Sequence, residues 1–313
     1  LVPKGVRGRA FAINQAAQLV AVPVAALLSW LLVPRAPLGV SGWRWVACVP
    51  LLGLGVAWWI RRVVPESPRW LASRGRYIDA VAVTTAIETR SSGGLHGLLP
   101  APAAVTAEPV VTTTWREIVS PPYRRRTVML VVLNVFQAIG FFGFGNWLPA
   151  LLASRGMTIV DSLEYAMFIA LAYPLTPLVC VAFADRVERK WQIVIAAGGS
   201  LTCGLVFAHQ SRAVTLVAWG VALTVCNMVL SYAYHAYQSE LYPTRLRARA
   251  IGFAYSCSRL AAMVSGFAIA LLLRTSGATA VFVLLAGCMV VVMLAVGLLG
   301  SRTRGIALEQ LAQ

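Results

Sequence analysis

The chain has 313 residues, 59% of them hydrophobic and only 12% charged, with a mean hydropathy of +0.74. Soluble domains run about 45–50% apolar and about 25% charged, so a soluble globule, and with it a soluble enzyme, is excluded. A net charge of +16 would suggest nucleic acid as partner in a polar chain, but here it points to basic loops beside a lipid bilayer and to no nucleic acid.

A membrane-spanning helix takes about 20 mainly apolar residues. Stretches 10–33, 45–64, 127–152, 165–184, 191–208, 213–239, 250–273 and 279–299 meet that length and predict an all-α membrane protein. The second is the weakest, because Arg61 and Arg62 cut it short. Trp43, Trp45, Trp58 and Trp59 suit its two interfaces, where the arginines can snorkel. Residues 1–9 are basic, but the apolar run behind them is too long for a signal peptide.

The stretch 65–126 separates two predicted spans from six. Residues 91–114, rich in Ser, Gly, Pro, Ala and Thr, show no helical period and predict a flexible loop. Trp115 to Val119 predicts a short surface helix stopped by Pro121 and Pro122. Of the 27 basic residues, 21 fall on the side carrying this loop and both chain ends, and five on the other. The positive-inside rule makes the first side cytoplasmic. Cys48, Cys180, Cys203, Cys226, Cys257 and Cys288 all fall in spans without metal-ligand spacing, so they read as small hydrophobes, with no metal or cofactor expected. His96, His209 and His235 are scattered and form no catalytic constellation, which argues against a membrane enzyme.

The chain carries several charged motifs at predicted helix ends. Pro65-Glu66-Ser67-Pro68-Arg69-Trp70-Leu71 follows the second span, Arg7-Gly8 opens the first, and Asp185-Arg186-Val187-Glu188-Arg189-Lys190 follows the fourth. Glu240-Leu241-Tyr242-Pro243-Thr244-Arg245-Leu246-Arg247 precedes the seventh, and Thr303-Arg304-Gly305 with Leu308-Glu309 closes the chain. In order and spacing these resemble the signatures of the sugar-porter and organic-ion branches of the major facilitator superfamily. The resemblance implies twelve spans in two halves joined by a long cytoplasmic loop, of which this chain matches the last eight. Residues 1–64 then end the N-terminal half, 65–126 form the central loop, 127–300 the C-terminal half and 301–313 the tail. It also implies an N-terminally truncated chain whose absent four helices are its partner, set in a bacterial inner membrane. Glu66, Arg69, Asp185, Arg186, Arg189, Glu240 and Arg247 are expected to form ion pairs that open and close the inner mouth.

Polar groups at mid-membrane are costly and therefore mark binding sites. Arg259 lies ten residues beyond Arg249, about 15 Å deep, and belongs to neither basic side. Asn134, Gln137 and Phe141 share one helical face; Asn227, Ser231 and Tyr234 share another, with His235 beside them. Tyr255 and Ser258 accompany Arg259, and Asn14, Gln15 and Gln18 cluster in the first span, where Asn14 and Gln18 fit helix–helix contact equally well. Gln15 stands where the resembled hexose porters have a sugar-contacting glutamine. Gln137 and Gly140 keep part of another of their motifs, whereas Phe136 and Phe142 replace its remaining polar residues. Ser258-Arg259-Leu260 resembles the eleventh helix of organic-anion carriers. The expectation is thus a transporter, not an enzyme, that moves a small organic, aromatic carboxylate by alternating access with proton symport. A sugar or polyol carrier of the same superfamily is the alternative, and a membrane-embedded enzyme or a non-transporting sensor on the same fold is the alternative of another class.

Overall fold

The computed structural model describes residues 7–35, 37–91, 114–154, 156–183 and 187–301. The flexible loop expected over 91–114 and the tail motif lie almost wholly outside the described residues. Contacts divide the chain into two compact units, residues 1–42 with 111–313 and residues 43–110.

Helices carry almost all the described residues, as a bilayer requires of backbone with no water to bond. In the larger unit α1 (Arg7–Leu19) and α2 (Ala21–Leu32) run almost end to end. The smaller unit holds α3 (Gly42–Cys48, whose first residue belongs to the larger unit), α4 (Leu52–Val63), α5 (Pro68–Ser73) and α6 (Tyr77–Ser91). The larger unit continues with α7 (Trp115–Val119), α8 (Pro121–Gly145), α9 (Leu148–Ala153), α10 (Ile159–Ala170) and α11 (Ala172–Phe183). It ends with α12 (Arg189–Ala208), α13 (Ala213–Glu240) and α14 (Thr244–Leu299).

Among the described residues seven helical stretches are long and apolar enough to cross a membrane, and the last, Leu246–Leu299, is 54 residues long. At about 1.5 Å per residue it is far longer than a hydrocarbon core of about 30 Å. Gly277, with φ +78° and ψ 179°, breaks it in two, which restores the two spans expected at 250–273 and 279–299. Only glycine adopts that backbone without strain.

The short helix at Trp115–Val119 forms as expected, with Glu117 Oε1 accepting from the backbone N–H of Thr114 at 3.2 Å. The helix ends ahead of Pro121 and Pro122 as expected, with Ser120 extended before them, and the prolines have a second role. They open α8, since a first-turn N–H has no helical partner to lose.

Within the larger unit α8 packs along α14, α12 lies against both α13 and α14, and α1 and α2 rest on α11 and α10. A Cβ added at Gly143 would meet Leu285 Cδ2 at 2.5 Å and Ile269 Cδ1 at 3.0 Å, so α8 and α14 approach as closely as glycine allows. Two apolar cores form along α8. One gathers Met129, Leu130, Leu133, Tyr237 and Tyr242; the other gathers Phe144, Leu148, Phe207 and Phe282. Gln137 of α8 falls between them in sequence.

Candidate functional site

Four helices wall a cavity of about 360 Å³. From α1 come Asn14, Gln15 and Gln18, and from α8 come Gln137, Ala138, Phe141 and Phe142. From α13 come Ser231, Tyr234 and His235, and from α14 come Tyr255, Ser258 and Arg259. The repeated i, i+3, i+4 spacing (138, 141, 142; 231, 234, 235; 255, 258, 259) puts each set on one helical face. Most of the residues singled out in the sequence therefore converge on one space.

Asn134 and Asn227 do not line it, contrary to expectation. Asn134 is buried with its Nδ2 donating to Leu130 O at 2.9 Å, at a level of α8 taken up by the first apolar core. Its Oδ1 has no partner among the described residues. Asn227 turns toward α12, where Ser200 Oγ donates to its Oδ1 at 3.1 Å beside a separate space of about 20 Å³. It precedes Ser231 by four residues, about 40° around the helix. Asn14 and Gln18 do reach the cavity. So do Ala138 and Phe142, which sequence reasoning had not placed in the site; their i, i+4 spacing was the available signal.

Among the described residues Arg259 has aromatic neighbours and no anionic one. Its Cζ lies 4.8 Å from the Tyr255 ring centre and 5.4 Å from that of Phe142. Cation–π contacts of this kind contribute about 0.5–2 kcal/mol and leave the guanidinium edge open. No carboxylate lines the cavity, and Arg259 has no hydrogen-bond acceptor among the described residues. Phe141 meets Phe142 edge-on at 5.3 Å and Tyr173 at 6.2 Å, which stiffens the aromatic wall.

His235 sits at the centre of the polar network. Its Nδ1 is 2.7 Å from Ser231 O, and its Nε2 is 3.2 Å from Tyr234 Oη and 3.3 Å from Tyr255 Oη. A carbonyl oxygen only accepts, so Nδ1 carries a hydrogen. In the neutral ring Nε2 is then the acceptor for the tyrosine hydroxyls.

A second polar region lies at the end of the bundle where α8 and α12 begin and α13 and α14 finish. Arg125 Nη2 donates to Leu298 O at 2.8 Å, Lys190 Nζ to Gly300 O at 3.1 Å and Arg126 Nη1 to Leu241 O at 3.2 Å. These cations satisfy carbonyls that helix ends leave open and suit the negative end of the helix dipole. Tyr237 Oη donates to Ser301 O at 2.8 Å.

Among the residues expected to gate, Arg189 lies 3.7 Å from Glu240, and Arg247 reaches Tyr242 O through Nε and Nη2, each at 3.4 Å. Glu66, in the smaller unit, is exposed and accepts from the N–H of Ser67 at 3.0 Å. Asp185, Arg186 and the side chain of Arg69 lie outside the described residues. Among the described residues no three His, Cys, Asp or Glu side chains gather as a metal site would require.

Residues 1–313 match the family described as "Sugar (and other) transporter". The protein named YyaJ of Bacillus subtilis (strain 168), a metabolite transport protein by name, is 29% identical over 292 residues. That match covers 91% of this chain and 63% of YyaJ, so the chain spans less than two thirds of that relative's length. The niacin transporter NiaP of Acinetobacter baylyi is 24% identical over 314 residues, covering 99% of this chain and 69% of NiaP. A structure of the proton:xylose symporter XylE, bound to 6-bromo-6-deoxy-D-glucose, superposes with a TM-score of 0.65 at 20% identity, covering 99% of this chain and 68% of that one. The apolar helices and the match along the whole chain converge: this is a multi-pass membrane protein of the sugar (and other) transporter family, with the fold of the major facilitator protein XylE.

Proposed function

We propose that the protein is a transporter of a small organic anion, an aromatic carboxylate in the simplest case, moved by alternating access with a proton. The observation that carries this reading is Arg259, a guanidinium held on two aromatic faces in a cavity that no carboxylate lines among the described residues. A carboxylate can take two parallel hydrogen bonds from such a group, which fixes its orientation as well as its charge. Phe141, Phe142, Tyr234 and Tyr255 offer faces to a ring attached to it. The relative named for niacin, a pyridine carboxylate, agrees with that chemistry. Arg189, Glu240 and Arg247, together with Glu66, Arg69, Asp185 and Arg186, serve in this reading as the ion-pair set that closes the inner, cytoplasmic mouth.

Uptake of radiolabelled benzoate, nicotinate and xylose by cells expressing the complete reading frame tests the reading. Saturable uptake of the acids, lost in Arg259→Ala, is the expected result. Acid uptake undiminished in that variant would overturn the anchor. One observation favours the sugar alternative: Asn14, Gln15, Gln18 and Gln137 bring four amides to the same cavity, and amides suit hydroxyl groups. Saturable xylose uptake without acid uptake would select it.

A further inference from the structure

His235 has an arrangement that plain packing does not require. Its Nδ1–H is committed to Ser231 O, so every change of protonation falls on Nε2, the atom facing the hydroxyls of Tyr234 and Tyr255. A neutral imidazole has one lone pair there, and two tyrosine hydroxyls compete to donate to it. The proton of the hydroxyl that fills it is then drawn toward the ring and away from the cavity.

Adding a proton to Nε2 reverses that polarity. The ring becomes a donor at both nitrogens, and the tyrosine oxygens can only accept from it. The O–H that had filled the lone pair is released and can turn toward the cavity that holds Arg259. The proton comes from water and joins the Nε2 lone pair; no bond in the protein breaks, and Nδ1–H stays on Ser231 O.

The ionisable groups facing His235 define when this can happen. They are Tyr234 on its own helix and Tyr255 and Arg259 on α14; to the cavity, α1 and α8 present amides, aromatic rings and Ala138. Beside the fixed charge of Arg259, a second cation is repelled as long as the cavity holds no anion. A bound carboxylate offsets that repulsion and accepts a hydrogen bond from the released hydroxyl.

We propose that His235 takes up one proton as an organic anion docks on Arg259, with Tyr234 and Tyr255 as the hydroxyl donors whose direction the proton sets. This deepens the proton-coupled anion reading and rests on it. His235 is the positioning group here; Arg259 and the tyrosines touch the substrate.

Binding of radiolabelled benzoate to the purified complete transporter, from about pH 5.5 to about pH 8.0, tests the linkage, since the probe stays ionised throughout. Wild-type affinity is expected to fall as pH rises, approaching about tenfold per pH unit on the alkaline side. His235→Gln, which keeps the size and a hydrogen-bonding amide, is expected to bind weakly with a flat profile. Tyr255→Phe is expected to lose about fivefold at acid pH and keep the slope. A slope that persists in His235→Gln overturns the proposal, because the proton then resides elsewhere. A flat wild-type profile with benzoate bound at every pH overturns the linkage and leaves the anion reading standing. No benzoate binding by the wild type overturns both.

Discussion

Arginine is used in two ways in this molecule, and the contrast separates scaffold from site. At the end of the bundle where α13 and α14 finish, Arg125, Arg126 and Arg247 point into backbone carbonyls. Arg189 faces Glu240. Each has an acceptor supplied by the fold. In the cavity Arg259 has only the faces of Phe142 and Tyr255 among the described residues. A cation at a helix end needs no ligand, because open carbonyls are already there. A cation in mid-membrane without an acceptor is costly unless something else supplies one. The difference teaches that satisfied donors, more than depth or residue type, tell a structural arginine from a binding one.

The strongest way to break that contrast is to remove the cavity arginine. Arg259→Ala is expected to weaken benzoate binding by about 10–100-fold, the range of about 1.5–3 kcal/mol typical for hydrogen bonds to charged groups. Arg259→Lys keeps the charge but not the two-pronged geometry, and should recover only part of the loss. Equilibrium binding measures both. An arginine of the basic end, mutated in parallel, should leave affinity unchanged and lower the melting temperature instead.

Asn227 sharpens the comparison from the other side. It is polar and buried one helical turn before the cavity residue Ser231, yet its amide is joined to Ser200 across α12 and α13. Asn227→Ala strands a buried hydroxyl and should cost about 1–2 kcal/mol of stability with benzoate affinity retained. A large affinity loss at unchanged melting temperature would return Asn227 to the site. Tyr237→Phe is the smaller counterpart. It deletes one bond to Ser301 O at the basic end and should cost about 1 kcal/mol, again without an effect on affinity.

These residues also show how much could be read in advance. The spans were legible because bilayer thickness fixes their length, and the single continuous helix over 244–299 resolves at Gly277 into the pair expected. The faces carrying Gln137, Tyr234 and Arg259 were legible because helical spacing maps sequence onto direction. Direction alone does not say how far the apolar core rises along that face, which is why Asn134 was misplaced. Pro121 and Pro122 serve twice, following the end of α7 and opening α8, and only the first role was read in advance. Phe142 was overlooked because an aromatic in a membrane helix is unremarkable until an arginine is found above its face.

The ion pair at the basic end offers the smallest effect and the most discriminating one. Arg189 and Glu240 approach to only 3.7 Å, and the glutamate side chain is 33% exposed. Partly exposed pairs contribute about 0–1 kcal/mol, so Glu240→Gln should scarcely change the melting temperature. A gate needs no more than that. If the pair forms in one conformation and breaks in the other, losing about 1 kcal/mol shifts their ratio about fivefold. The expected signature is a changed uptake rate at nearly constant benzoate affinity. High salt should shift the wild-type rate in the same direction and leave the variant unmoved, because screening acts only on a pair that exists. Equal salt responses in the two proteins would assign Glu240 to the scaffold, with the carbonyl-bound arginines around it.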